Sequence, residues 1–206
     1  MEQKSNGRVR LSNGIIKQNM VLMSGLFAGP VIGAATTLEN SLVLSLVFSL
    51  VTVVSVGLCR LLPKKIDFSV RIVLYALIAS AVYVPVMLLA EIIFNPETVS
   101  SITLYLAIMV TNPFITAKTE SRFFLRSVPL MFKDVIGFVL GFDLSCILVG
   151  SLRDILTDNM LWNTIIPLPF QLSAMESVYG GFILVGVLAG LCRFLYNKFE
   201  KRKGSR

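Results

Sequence analysis

Proline within an apolar helix removes a backbone donor and clashes with the carbonyl one turn back. Inside a bilayer the freed backbone groups must be satisfied by protein, ligand or trapped water. This chain carries that arrangement twice. One stretch reads Ala28-Gly29-Pro30-Val31-Ile32-Gly33-Ala34-Ala35-Thr36, and the other Val110-Thr111-Asn112-Pro113-Phe114-Ile115-Thr116-Ala117-Lys118-Thr119. Proline, isoleucine, alanine and threonine recur in step at 30/113, 32/115, 34/117 and 36/119. A helix breaker at corresponding places of two halves points to a buried site between repeats. Gly29, Pro30, Asn112 and Pro113 are therefore the first site candidates. Glycine at 29 relieves the restriction that proline places on its predecessor, and Asn112 offers both a donor and acceptors to loosened backbone. A pair of unrelated proline kinks is the plainer alternative.

Asp143 is the second candidate. It lies in Gly141-Phe142-Asp143-Leu144-Ser145-Cys146, near the centre of a long apolar run. A charge at that depth costs ~2.5–3.5 kcal/mol on the gentlest scale, so such a residue faces protein or water and is a functional candidate. A structural carboxyl hydrogen-bonded to a serine or a freed amide is the competing account. Ser41, Ser45, Ser49 and Thr52 share one helical face, and small polar residues at that spacing let membrane helices approach. Gly180, Gly181, Gly186 and Gly190 read the same way. No catalytic residue is identified: there is no nucleophile elbow, P-loop or dinucleotide fingerprint. The sequence has no histidine, which removes the usual general base and the commonest metal ligand. Cys59, Cys146 and Cys192 stand far apart in apolar surroundings without metal-ligand spacing, so no metal site is assigned. The aromatics are scattered through apolar runs, which gives no support to nucleic-acid stacking.

The elements that must position these residues follow from composition. Of 206 residues, 55% are hydrophobic and 15% charged, with mean hydropathy +0.78; a soluble domain carries ~25% charged residues. Apolar segments fall near 17–37, 40–62, 70–94, 100–117, 134–156 and 176–197, each close to the ~20 residues that span a bilayer. The fold class expected is an all-α polytopic membrane protein: six transmembrane helices in two inverted three-helix repeats, the first and fourth helices broken. Residues 1–16 form a basic tail, 17–197 the membrane domain, and 198–206 a second basic tail.

Basic residues cluster before the first segment, between the second and third, between the fourth and fifth, and from the end of the sixth. All but one of the 19 lysines and arginines lie on one face, and Arg153 is the exception. The positive-inside rule makes that face cytoplasmic, with both termini there. Three spans per half then put the second half in upside down. The net charge of +7 is accounted for by this topology, and the C-terminal tail can also meet anionic lipid.

With these elements in place the chain resembles a known family, the small six-span membrane subunits of the Rnf and Nqr respiratory complexes, of the E type in Rnf and the D type in Nqr. The resemblance spans about residues 14–197. It rests on Gly25-Leu26 leading to Pro30; Leu62-Pro63-Lys64-Lys65-Ile66 with Arg71-Ile72; Val110-Thr111-Asn112 with Lys118-Thr119-Glu120; Asp134 with Gly137-Phe138-Val139-Leu140-Gly141-Phe142; and Leu152-Arg153-Asp154-Ile155-Leu156. It implies a multi-pass subunit of a prokaryotic plasma-membrane complex that couples electron transport to sodium or proton movement, with a homologous inverted membrane subunit and further subunits as partners. In that family a cysteine at each broken helix holds an iron–sulfur cluster between two such subunits. Here those positions are Gly29 and Pro113, and neither side chain can ligate iron. The expectation is a divergent, non-catalytic subunit that binds no cofactor by itself. The alternatives are a small-solute or ion transporter on the same scaffold, using Asp143 and the two breaks, and a purely structural membrane subunit.

Overall fold

A computed structural model describes residues 19–25, 27–63, 65–162, 164–166 and 169–204, the last six by backbone alone. The basic tail 1–16, Lys17, Lys64 and the basic side chains beyond Lys198 lie outside the described residues. The described residues are all-α apart from one short antiparallel hairpin, Met160–Leu161 with Thr164–Ile165. Its α-helices are α1 (Ala28–Ala34), α2 (Leu38–Cys59), α3 (Phe68–Ile93), α4 (Pro96–Ser101), α5 (Thr103–Ile108), α6 (Val128–Asp158) and α7 (Val178–Gly204). Between α5 and α6 a 3-10 turn, Met109–Thr111, leads into a π-helical segment, Phe114–Phe123.

Among the described residues four helices, α2, α3, α6 and α7, are long and apolar enough to cross a membrane. Their ends follow from local chemistry. Thr37 caps α2 by accepting from the Asn40 amide, the usual role of a threonine at that position. Pro129 sits in the first turn of α6, where a missing N–H breaks no helical bond. Asn159 closes α6 in the left-handed conformation at φ 54°, which asparagine tolerates.

The core is the α2–α6 pair. Asp154 accepts from the Leu38 amide at 3.3 Å, the Cys146 thiol reaches the Ser41 carbonyl at 3.6 Å, and the Ser49 hydroxyl donates to Asp143 at 2.7 Å. A methyl group at Gly57 would meet the Phe132 ring at 3.2 Å. Positions rise along α2 as they fall along α6, so the helices are antiparallel. They approach closely because Gly150 has no side chain: a Cβ there would collide with the Ser41 hydroxyl and the Thr37 carbonyl. Membrane helices pack by such small-residue contacts. Around this pair, α3 packs on α2 and the π-helical segment, while α7 packs on α1 and the turn Ser173–Met175.

Candidate functional site

At the second break the chain ends its 3-10 turn at Asn112, whose backbone is extended (φ −63°, ψ 143°), and Pro113 starts the π-helical segment. Asn112 is fully buried. Its Oδ1 accepts from the amides of Phe114 and Ile115 at 3.0 and 3.2 Å. Its Nδ2 donates to the Met109 carbonyl and to Thr52 Oγ1 on α2, both at 3.0 Å. The π-helical geometry is rare and marks functional or strained positions. Here it is supported by Thr119, whose hydroxyl donates to the Phe114 carbonyl five residues back at 3.0 Å. The expectation that the break leaves backbone groups open for an occupant is corrected at this point, because one asparagine side chain satisfies them.

At the first break the corresponding work falls to Asn19, which sequence reasoning did not single out. Asn19 Oδ1 accepts from the amides of Val21 and Leu22 at 3.0 and 2.9 Å. Its Nδ2 donates to the Gly141 carbonyl and Ser145 Oγ on α6, both at 2.8 Å. The chain then passes through Gly25 (φ 64°) and Phe27 (φ 62°), both left-handed, before α1 begins. The break therefore lies before Gly29 and Pro30, not at them. Pro30 is the third residue of α1, where it interrupts no hydrogen bond. Gly29 is exposed, and a Cβ there would meet nothing within 4 Å.

The space between the breaks is filled. Phe27 at the first break lies 5.8 Å from Phe48 and 6.1 Å from Phe142, centroid to centroid. Phe48 of α2 stacks on Phe142 of α6 at 3.9 Å. Phe114 at the second break lies 6.4 Å from Phe48 and 4.9 Å from Phe138. An unbroken run of phenyl rings thus joins the two breaks through the centre of the α2–α6 pair. Ring pairs of this kind add ~0.5–1.5 kcal/mol each beyond their burial.

Asp143 is not brought to either break. Ser145, which meets Asn19, is two residues further along α6, about 200° around the helix. Asp143 is half-buried; its Oδ2 accepts from Ser49, and its Oδ1 has no hydrogen-bond partner among the described residues. Of the serine face on α2, Ser41, Ser45 and Ser49 turn to α6, while Thr52 serves Asn112. In α7, a Cβ on Gly181 would lie 2.9 Å from the Ile32 carbonyl, whereas Gly186 and Gly190 face open space.

Arg153, the one basic residue that breaks the charge asymmetry, is fully buried. All five of its guanidinium hydrogens have acceptors: Nε donates to the Met175 carbonyl, Nη1 to the Ile32 and Ala35 carbonyls, and Nη2 to the Glu176 and Ser177 carbonyls, at 2.6–3.2 Å. A guanidinium is the side chain that can fill such a set. Arg60, at the end of α2, donates to the carbonyls of Phe124 and Arg126 at 3.0 and 3.3 Å and lies over the Phe124 ring. A signal for this pair was present in the sequence: Val56-Gly57-x-x-Arg60 and Val149-Gly150-x-x-Arg153 share one pattern. Asn19/Asn112, Thr52/Ser145, Gly57/Gly150 and Arg60/Arg153 all stand 93 residues apart. The prolines at 30 and 113 stand 83 apart.

The donor set does not fit an iron–sulfur cluster held at the two breaks. Glycine and proline at 29 and 113 supply no thiolate. Cys146 lies against the Ser41 carbonyl near the start of α2, and Cys59 ends that helix. At 1.5 Å per residue the two thiols are more than about 20 Å apart. Cys192 lies on α7. No three His, Cys, Asp or Glu side chains converge as a metal site among the described residues.

Comparison with known proteins gives a consistent result. The family described as "Rnf-Nqr subunit, membrane protein" matches residues 8–189. The E-type subunit of the Na(+)-translocating ferredoxin:NAD(+) oxidoreductase complex of Acetobacterium woodii is 28% identical over 197 residues, covering 91% of this chain and 96% of that protein. The D-type subunit of the Na(+)-translocating NADH-quinone reductase of Proteus mirabilis is 28% identical over 169 residues, covering 81% and 76%. The E-type subunit of the ion-translocating oxidoreductase complex of Shewanella oneidensis is 26% identical over 205 residues, covering 92% and 88%.

Proposed function

The chain belongs to the Rnf-Nqr family of membrane subunits, and from that premise we propose that it is a non-catalytic subunit of a membrane complex coupling electron transport to ion translocation, working beside a homologous inverted subunit and supplying no iron–sulfur ligands of its own. The observation that carries this reading is the run of phenyl rings between the two breaks. The breaks are closed by their own asparagines, the space between them holds phenyl rings, and no thiol stands at either. A chain built this way is suited to form one wall of a pathway with a partner. The exposed Gly29, with open space beside it, is where such a partner would approach.

The reading includes two inverted halves, residues 19–93 and 96–204. The turn at Asn19 with α1 makes the first broken span, and Pro96–Phe123 makes the second. Together with α2, α3, α6 and α7 they give six spans, with both termini cytoplasmic in a prokaryotic plasma membrane. Three facts support it: the contacts repeated at 93 residues, the antiparallel α2–α6 pair, and the packing of α3 on the π-helical segment as α7 packs on α1. Arg153 no longer counts against the charge rule, because its donors are spent inside the protein and not in water.

The test is purification of the tagged chain from its own membranes. Flavin- or iron-bearing membrane proteins are expected to come with it, and the chain stripped of partners should carry far less than one iron. A cluster signal by paramagnetic resonance on the isolated chain would overturn the reading. A second reading, transport by the chain alone, is favoured only by the mid-span Asp143 with its unbonded Oδ1. It requires uptake into liposomes holding this chain alone, and loss of that uptake in Asp143→Asn.

A further inference from the structure

We infer that Arg60 and Arg153 are an equivalent pair of positioning residues, each clamping the broken span of the opposite half, so that neither half can hold its own break in place. Arg60 ends the central helix of the first half, yet its guanidinium binds the Phe124 and Arg126 carbonyls, where the second half's π-helical segment runs out. Arg153 lies near the end of the second half's central helix, and it binds the Ile32 and Ala35 carbonyls, where α1 of the first half runs out. Carbonyls at a helix end have no partner within the helix, and a cation there is favourable. Both arginines follow a glycine by three residues, Gly57 and Gly150, each of which faces the other central helix: Gly150 the Thr37 backbone and Ser41, Gly57 the Phe132 ring. The glycine contact and the clamp thus share one short pattern, used once in each direction.

The asparagines repeat the crossing. Asn19 of the first half reaches α6, and Asn112 of the second half reaches α2. Each break is therefore anchored at its start by an asparagine and at its end by an arginine of the other half's central helix. Rocking one half against the other would have to pull charge-assisted bonds apart, and those of the fully buried Arg153 lie away from water. Movement of cargo by rocking within this chain is disfavoured, and the surface shared with a partner is left as the place where passage can occur. This inference rests on the two-half reading above, not on the identity of the complex.

Hydrogen exchange read by mass spectrometry on the full chain in nanodiscs tests the crossing. Arg153→Met should raise exchange about tenfold or more in residues 28–36 while leaving 112–126 within about twofold, and Arg60→Met should do the reverse. Should a methionine variant not accumulate, Arg153→Lys and Arg60→Lys keep the charge but cannot reproduce the planar fork, and should give the same crossed pattern at lower amplitude. Exchange that rises only in the mutated helix, or equally in both segments, overturns the proposal. The outcome is independent of which proteins co-purify. A chain that brings no redox partners but shows crossed exchange sinks the proposed complex alone, and the opposite result sinks the clamp alone.

Discussion

The two breaks solve one problem with different lengths of chain. At the second, Asn112 is the joint itself: Pro113 follows at once, and the amides that Asn112 accepts from are those that begin the π-helical segment. At the first, Asn19 closes a separate turn, and the chain needs Gly25 and Phe27 in left-handed conformations before α1 starts. The anchoring asparagines are 93 residues apart and the prolines 83. The difference between those spacings is the extra chain of the first break. What repeats in this protein is the polar anchor and its contact with the opposite central helix; the prolines only mark where a helix is free to begin.

That comparison is broken most directly at the asparagines. Asn112→Leu leaves the buried Phe114 amide without its acceptor, while the Ile115 amide keeps the Asn112 backbone carbonyl at 3.1 Å, and it also strips Thr52 and the Met109 carbonyl of their donor; one such orphan costs about 1–3 kcal/mol. With the lost bond to α2 the expected loss is about 2–4 kcal/mol, read as collapse of membrane-inserted protein and a lowered midpoint for thermal unfolding in detergent. Asn19→Leu orphans the amides of a turn that can rearrange, so its effect should be about half as large. Equal effects would mean that the first anchor supports α1 as directly as the second supports the π-helical segment.

The framework of this fold was legible because lipid imposes it: α2, α3, α6 and α7 fall within three residues of the apolar runs at their starts or ends, apart from the longer reach of α6 and α7. The apolar run near 100–117 is also interrupted in the structure, where the 3-10 turn ends at Asn112 and a π-helical segment follows. The anchors were less legible. Asn19 lies at the edge of an apolar run, and its partners are 122 and 126 residues away, a relation that only tertiary packing creates. Arg153 was noticed as an anomaly of charge, but its acceptors are backbone carbonyls, which sequence does not distinguish. The phenyl run between the breaks is built from Phe27, Phe48, Phe114, Phe138 and Phe142, whose spacing within each helix resembles that of any apolar face. Asp143 was visible at once as a mid-span carboxyl, whereas its separation from the breaks depends on which way α6 is turned.

The two glycines at which α2 and α6 face each other, Gly57 and Gly150, sharpen the comparison at lower cost. A side chain at Gly150 meets the Ser41 hydroxyl and the Thr37 backbone, and backbone cannot yield. One at Gly57 meets the end of the Phe132 ring at 3.2 Å, which can swing aside. Gly150→Ala should therefore destabilise by about 1–3 kcal/mol, the usual penalty of overpacking, and Gly57→Ala by less than about 1 kcal/mol. Thermal unfolding of the two variants side by side measures the gap. A larger loss at Gly57 would mean that Phe132 is held more rigidly than its half-buried position implies.

A modest effect is expected where the repeat has no counterpart. Shifting Ser49 by 93 residues lands on Phe142, and shifting Asp143 back lands on Leu50, so the Ser49–Asp143 bond is a polar contact of the central pair that the two halves do not share. Hydrogen bonds between membrane helices are worth about 0.6 kcal/mol on average and at most about 1.7. Ser49→Ala removes the one donor that Asp143 has among the described residues and should cost about 1 kcal/mol or slightly more, because a carboxyl oxygen is then left unsatisfied. Removing both groups is a different experiment, since deleting a polar pair together can be nearly neutral where deleting one partner is not. The Ser49→Ala, Asp143→Leu double variant should accordingly unfold at a higher temperature than Ser49→Ala alone. If it unfolds lower instead, Asp143 makes a contribution to this chain beyond its bond with Ser49, and the asymmetry at the centre of α2 and α6 has a purpose that packing does not supply.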